Sequence, residues 1–274
     1  MVSIELETPD IDPMTITRVS GVDVGRRYLG VETDLQKKSK FSSGKEARHK
    51  ANRYQKARKT LQCKGTRSAT RRLIAISGRE RRFTADVNHT ISKQIAKHNR
   101  LIGLENLTAI PDPVKSRTGK RASKKQPRAN RNKAKWSFAE LHGYIDYKAS
   151  LNGSMATKVP AHYTSQSCVK CRHTSKAKRP NKGLLFRREC WGYELHSDLL
   201  GSRNIALRTL LVRQDWMSTG TMSMCPWVSG DETKAQILQR FSELRWIVDA
   251  RSHCIVSRQA KQSVAGNLPF RKQL

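Results

Sequence analysis

Acidic residues are scarce in this chain. Asp and Glu number 22 against 54 Lys and Arg, giving a formal net charge of +32 and a pI near 10.5. A compact body with that charge repels itself until a polyanion neutralises it. Nucleic acid is the expected polyanion, because phosphate contacts by Lys and Arg dominate such binding; a basic protein of the membrane surface is the alternative. Aromatic residues make up 6% and hydrophobic residues 36%, low for a globular enzyme but enough to build a core. No apolar run approaches the roughly 20 residues that a spanning helix needs, so no membrane partner is expected. The opening MVSIELETPDIDP is acidic and lacks the apolar core of a signal peptide. The chain therefore reads as a cytoplasmic, nucleoid-associated protein. Its six cysteines then suggest metal ligation or free thiols rather than disulfides. A length of 274 residues allows one large domain with additions or two smaller ones.

Periodicity divides the chain into strands and helices. Residues 1–15 read as a loose lead-in. TRVSGVDVGRRYLGVETD reads as two short strands joined at a tight turn, with Val22 and Val24 alternating against Gly21, Asp23 and Gly25. From Gln36 to Lys135 there are 30 Lys/Arg against five acids. Lys45 to Leu61 reads as a basic helix, and Arg67 to Asn99 as a second. The second carries Phe83, Val87, Ile91 and Ile95 four residues apart as one apolar stripe. Arg53, Arg58, Arg71, Arg72, Arg79 and Arg82 on these helices are candidates for backbone phosphate contacts; an ordinary solvated face is the alternative. RLIGLENL is a short buried strand, Pro111 to Lys133 a basic loop, and KWSFAELHGYIDYKA a helix with Phe138, Leu141, Ile145 and Ala149 on one side. A helix over 196–213 follows a knuckle at 159–194, and Asp231 to Val248 offers another amphipathic helix. Strand–helix alternation of this kind predicts an α/β fold.

Three acids occupy unusual settings. Asp23 sits mid-strand between valines, an expensive place for an unpaired charge. Glu105 ends a hydrophobic strand. Asp198 opens a helix, where the dipole favours an anion. Each has a plain alternative: a turn residue before Gly25, a strand-end surface charge, and a helix-start acid. Together they fit a phosphodiester nuclease that gathers several acids around divalent ions, and oxygen ligands of this kind suit Mg²⁺ or Mn²⁺.

The segments GVDVGRRYLGV, RRFTADVNHTISKQI, LIGLENL, WSFAELHGYIDYKA, VPAHYTSQSCVKC and GYELHSDLLGSRNIALR, in that order from about Val19 to Leu210, resemble the OrfB/TnpB transposon-associated proteins of bacterial insertion sequences. These are relatives of the compact type V CRISPR nucleases. The resemblance implies an RNase H-like (RuvC-type) mixed sheet with flanking helices and an inserted zinc-ribbon-like knuckle. It places the catalytic and Mg²⁺-binding acids at Asp23, Glu105 and Asp198, and it implies DNA cleavage directed by a guide RNA. It also divides the chain into a nuclease core over 16–158 with a basic helical insertion at about 36–100, the knuckle at 159–194, a final core helix at 195–213 and an extension at 214–274. Family members carry a large N-terminal lobe, whereas 22 residues precede Asp23 here; the expectation is a shortened member.

The knuckle departs from the family pattern. Cys168 and Cys171 form one Cys-x-x-Cys pair, but the second pair falls on Arg188 and Trp191, with Cys190 out of register. Zinc wants four N or S ligands. Cys168, Cys171 and Cys190 supply three, with His173 or His196 as a strained fourth; the alternative is a ribbon that has lost its Zn²⁺. Arg203 and Arg208, past Asp198, are expected to face the scissile strand, and Tyr163 and Trp191 to stack on bases or to pack in the core. The functional expectation is a Mg²⁺-dependent DNA endonuclease of a transposable element. The alternative is a non-catalytic DNA- or RNA-binding remnant that regulates transposition. Oligomeric state leaves no mark in the sequence.

Overall fold

The computed structural model describes residues 11–12, 14–106, 136–174, 185–188, 193–222 and 233–241. They build a mixed α/β fold around a five-stranded sheet in the order β3-β2-β1-β4-β5. Strands β1 (Arg18–Asp23), β2 (Tyr28–Asp34) and β3 (Ser39–Ser43) form an antiparallel meander. Strand β4 (Arg100–Asn106) then lies parallel to β1, with Val22 beside Leu104, and β5 (Met155–Pro160) lies parallel to β4. A separate pair, β6 (Leu185–Arg188) and β7 (Tyr193–His196), is antiparallel.

The crossover from β3 to β4 is a helical hairpin, α1 (Lys45–Lys64) and α2 (Arg67–Ile95). Gly65 turns the chain at φ 62°, and the Thr66 side chain accepts a hydrogen bond from the Ala69 amide to start α2. The apolar stripe of α2 does what its spacing predicts at its C-terminal end. Ile91 and Ile95 pack with Val22, Leu29, Ile102 and Leu104 on one face of the sheet, with Phe83 and Val87 half-buried beside them. Helix α3 (Phe138–Leu151) completes this face through Leu141, Ile145 and Ala149, all fully buried.

Helix α4 (Ser197–Thr219) covers the opposite face. It runs six residues beyond the end that periodicity predicts and stops at Gly220, φ 70°. Its buried positions surround the helix rather than forming a stripe, because the 161–174 segment and Phe241, just past the short helix α5 (Lys234–Arg240), pack on its outer side. Helix α5 falls within the predicted 231–248 helix, whose remainder lies outside the described residues. No helix among the described residues is long and apolar enough to cross a membrane.

Candidate active site

Strand alternation decides where the acids go. On β1, Val19, Gly21 and Asp23 share one face; on β4, Leu101, Gly103 and Glu105 share the same face, because the two strands are parallel and in register. Val19 and Leu101 pack with Leu210 and Trp216 of α4, so this is the face that α4 covers. Gly21 and Gly103 let the helix come close. A Cβ on Gly21 would sit 2.8 Å from the Ala206 Cα, and one on Gly103 would sit 3.0 Å from the Thr209 Cβ. With the helix seated there, its first turn lies over the C-terminal ends of β1 and β4.

Asp23 and Glu105 therefore flank each other at the strand ends, and Asp198 meets them from the second position of α4. A Cβ on Gly201, one turn along α4 from Asp198, would lie 2.7 Å from Asp23 Oδ2, and one on Gly25 would lie 3.9 Å from Asp198 Oδ2. The Asp198 carboxylate also acts on Glu105 through space. Asp198 is held at the helix start by two neighbours. Its amide donates to His196 Nδ1 at 3.3 Å, and Ser197 Oγ donates to Asp198 Oδ1 at 3.2 Å. His196 in turn is gripped edge-on by Tyr28 and Phe41.

Glu105 is the buried member, 9% exposed, with Thr164 Oγ1 donating to its Oε1 at 2.9 Å. Burial pushes its pKa up; the Thr164 hydrogen bond and the Arg208 charge pull it down, and the Asp198 charge pushes it up again. Asp23 and Asp198 are half-buried. In kind, three converging carboxylates fit a hard divalent cation such as Mg²⁺ or Mn²⁺. Among the described residues, no three His, Cys, Asp or Glu side chains stand close enough as they lie to form a ready-made metal cage.

The basic residues separate into groups. Arg53, Arg71, Arg72, Arg79 and Arg82 are exposed on the helical hairpin. Arg58 is half-buried and pairs with Glu80, a tie between α1 and α2 rather than an open phosphate contact. Arg203 is half-buried on α4. Arg208 corrects the sequence expectation. It is fully buried, donates to the Pro160 and His162 carbonyl oxygens, and lies 4.0 Å from the Phe241 ring centroid, so it anchors the chain after β5 and faces no nucleic acid. Helical spacing places Arg208 on α4, but nothing in the sequence marks the outer side of α4 as covered.

In the knuckle, Cys168 is buried and Cys171 half-buried, and neither is joined in a disulfide among the described residues; Cys190, Trp191 and the rest of 189–192 lie outside the described residues. His196 spends its Nδ1 on capping α4, and its ring sits in the aromatic trio. Tyr163 packs against the core beside α4 rather than standing out as a stacking platform. The loop is held by protein bonds. Asn204 Nδ2 donates to the Thr164 and Ser167 carbonyl oxygens at 2.7 and 2.9 Å, and Arg172 Nη1 donates to Asn204 Oδ1 at 2.6 Å.

Thr164 and the glycines that seat α4 are the site residues that periodicity passes over. The glycines do leave a signal. Glycine stands two residues before each strand acid, Gly21 before Asp23 and Gly103 before Glu105, and three after the helix acid. Thr164 leaves none, because its role depends on the turn after β5.

Residues 138–205 match the TNB domain of Cas12f1-like proteins. The chain is 26% identical over 185 residues to InsQ of Escherichia coli K12, a candidate RNA-guided DNA endonuclease, covering 66% of this chain and 40% of that protein. It is 35% identical over 72 residues to the CRISPR-associated endodeoxyribonuclease Cas12f1 of Sulfoacidibacillus thermotolerans, covering 26% and 17%. It is 34% identical over 99 residues to a TnpB-like protein of Methanocaldococcus jannaschii, covering 35% and 33%. The chain thus spans less than half the length of each of these relatives. Among solved structures, Cas12f1 in complex with its single guide RNA and target DNA superposes with a TM-score of 0.52 at 20% identity over 74% of this chain and 52% of that one. A CRISPR-Cas12f ternary complex gives 0.53 at 18% over 75% and 41%. Both likenesses are of fold. Taken with the sequence matches, they make this chain similar to TnpB-like and Cas12f1-like proteins.

Proposed function

We propose that the chain is the nuclease core of a mobile-element protein, with the RNase H-like (RuvC-type) arrangement, and that it cuts DNA with the help of divalent ions. The observation that supports this most is the convergence of Asp23, Glu105 and Asp198 at one end of the sheet, brought there by two parallel strands and one helix start. These three would hold Mg²⁺ or Mn²⁺, which when bound supplies an activated water and steadies the leaving oxygen. The other groups position. Thr164 fixes the rotamer of Glu105, the start of α4 places Asp198 where the helix dipole favours its charge, and the Gly201 backbone leaves room for the Asp23 carboxylate. The exposed arginines of the α1–α2 hairpin would lie along the sugar-phosphate backbone.

The relatives' names carry two further readings to this chain: guide RNA and target DNA as partners, and an origin in a transposable element. The division into a core at 16–158 and 195–213, a knuckle at 159–194 and an extension at 214–274 belongs to the same reading. So do a Zn²⁺ site built on Cys168, Cys171 and Cys190 and a place in the nucleoid.

Purified full chain with Mg²⁺ and single-stranded DNA tests the proposal. Cutting is expected, with a loss of at least about a hundredfold in Asp23→Ala and Asp198→Ala, in line with removal of a group that stabilises the transition state. Cutting that persists in both variants overturns the assignment. No cutting, together with salt-sensitive binding, would leave a nucleic-acid-binding remnant.

A further inference from the structure

Strand register places an aromatic residue level with the acids of the candidate active site. Asp23 pairs with Val31 of β2, and Val31 pairs with Phe41 of β3. Directly paired residues share a face, so Phe41 lies on the α4 side of the sheet. Two strand spacings of about 4.8 Å put it roughly 10 Å from Asp23. Val31 between them is fully buried. Phe41 itself is 40% exposed, on a strand whose other residues, Ser39, Lys40, Ser42 and Ser43, are all polar.

A single exposed phenylalanine is ordinary; its neighbours set this one apart. The Tyr28 and His196 rings stand 4.9 and 5.9 Å from the Phe41 ring and 5.3 Å from each other, at interplanar angles between 69° and 89°. Neither partner is stacked on Phe41. Edge-to-face packing of this kind holds each ring against the other two, so an incoming flat group meets a surface that has little side-chain freedom left to lose. His196 opens α4 and accepts the Asp198 amide, which joins the aromatic trio directly to the third acid. Arg26 and Arg27 are exposed in the turn between β1 and β2, at the end of the sheet where the acids converge.

An exposed ring beside two cations and three carboxylates that gather metal suits a flat, uncharged heterocycle carried on a phosphate backbone. We propose that Phe41, backed by Tyr28 and His196, stacks a nucleobase of the single strand that passes the three carboxylates, while Arg26 and Arg27 meet its backbone. A stacked strand advances about 3.4 Å per nucleotide, so this base lies roughly one to three nucleotides from the scissile phosphate. Every base has a π face, so the contact is tolerant of sequence. The inference rests on the nuclease reading for the identity of the strand. Phe41 is a positioning residue in it, since it meets the base and not the reacting phosphate.

The test is binding of the full chain, in EDTA, to an oligothymidylate and to an abasic strand of equal length. Phe41→Leu is expected to weaken the oligothymidylate about tenfold, the worth of one base–aromatic stack, and to leave the abasic strand unchanged. Phe41→Trp should restore the difference, which a merely structural role for an apolar side chain would not require. Photocrosslinking of the parent protein to a strand bearing 5-iododeoxyuridine needs no variant to fold and should map to β3. Equal losses on both strands, no loss on either, or crosslinks confined to the α1–α2 hairpin would each overturn the inference. The two readings fail separately. If Phe41→Leu discriminates between the strands while no DNA is cut, the nuclease reading fails alone. If Asp23→Ala abolishes cutting while Phe41→Leu treats both strands alike, the stacking site fails alone.

Discussion

Gly201 and Gly21 are both glycines against a crowded neighbour, yet substitution should act on them in opposite ways. At Gly201 a methyl group would meet the end of the Asp23 side chain, 2.7 Å from Oδ2, and that carboxylate can rotate away. Gly201→Ala is therefore expected to fold with stability within about 1 kcal/mol of the parent, because Ala favours a helix interior over Gly. DNA cutting should fall at least about tenfold, because Asp23 loses its orientation. At Gly21 the neighbour is the α4 backbone at Ala206, which cannot turn aside. Gly21→Ala should cost about 3 kcal/mol or more. Thermal melts and a cleavage assay on the two variants would separate the cases, and similar stabilities would contradict the packing described.

His142 makes a second prediction at this scale. Its folded pKa, about 4, lies below the usual 6.5. Between those values the unfolded chain binds the proton that the folded chain refuses. The neutral ring's contribution is thus present above pH 6.5 and is lost as pH falls towards 4, by about 1–2 kcal/mol at pH 5. The parent should lose more stability than His142→Gln between pH 7 and pH 5 in denaturant melts; equal slopes would show that the ring is not buried in solution.

Elements reveal why some of the fold was legible and some was not. The strands around Asp23 and Glu105 and the stripe on α2 announce themselves through periodicity, because each buries one clear face. Strand β3, SKFSS, carries one hydrophobic residue and lies at the sheet edge, so it has little alternation to show. Strand β5 runs on to Pro160, so its last two residues fall in the span read as the knuckle, and the strand itself escapes notice because its pairing with β4 depends on partners far away in sequence. Of the site, the three acids were readable as residues out of place in apolar runs. Their supports were not, apart from the glycine spacing: Thr164 lies in a turn, and burial of Arg208 is decided by Phe241, more than 30 residues later.

The 161–174 segment leads to a prediction of its own. Asn204 and Arg172 lash it to α4 through protein hydrogen bonds. Chelators are expected to shift the melting temperature less than Asn204→Ala does; a collapse on chelation would show that a metal dominates this region. The buried Glu32–Arg100 pair, 2.8 Å apart, ties β2 to β4 across β1. Breaking it from one side by Glu32→Ala should cost about 3 kcal/mol, and adding Arg100→Met should recover most of that loss, since the orphaned charge is then removed.

Over the whole molecule the charge is the dominant property. The net +32 exceeds anything that the few ion pairs among the described residues compensate, and among the described residues its largest exposed share lies on the α1–α2 hairpin. Binding to single strands should weaken log-linearly with salt. Replacing Arg71, Arg72 and Arg79 together by Gln should reduce that slope by about 2, from roughly 0.7 per phosphate contact. An unchanged slope in fluorescence anisotropy would place the nucleic acid elsewhere.

One helix both roofs the sheet and delivers the last acid, and it comes after every strand of that sheet in the chain. A ribosome will have released Asp23 and Glu105 long before Ser197–Thr219 leaves the exit tunnel. On the proposed reading, a half-made polypeptide would hold its messenger nearby without the means to damage DNA. Competence would arrive only with synthesis of the closing segment, a safeguard written into gene order rather than into any inhibitor.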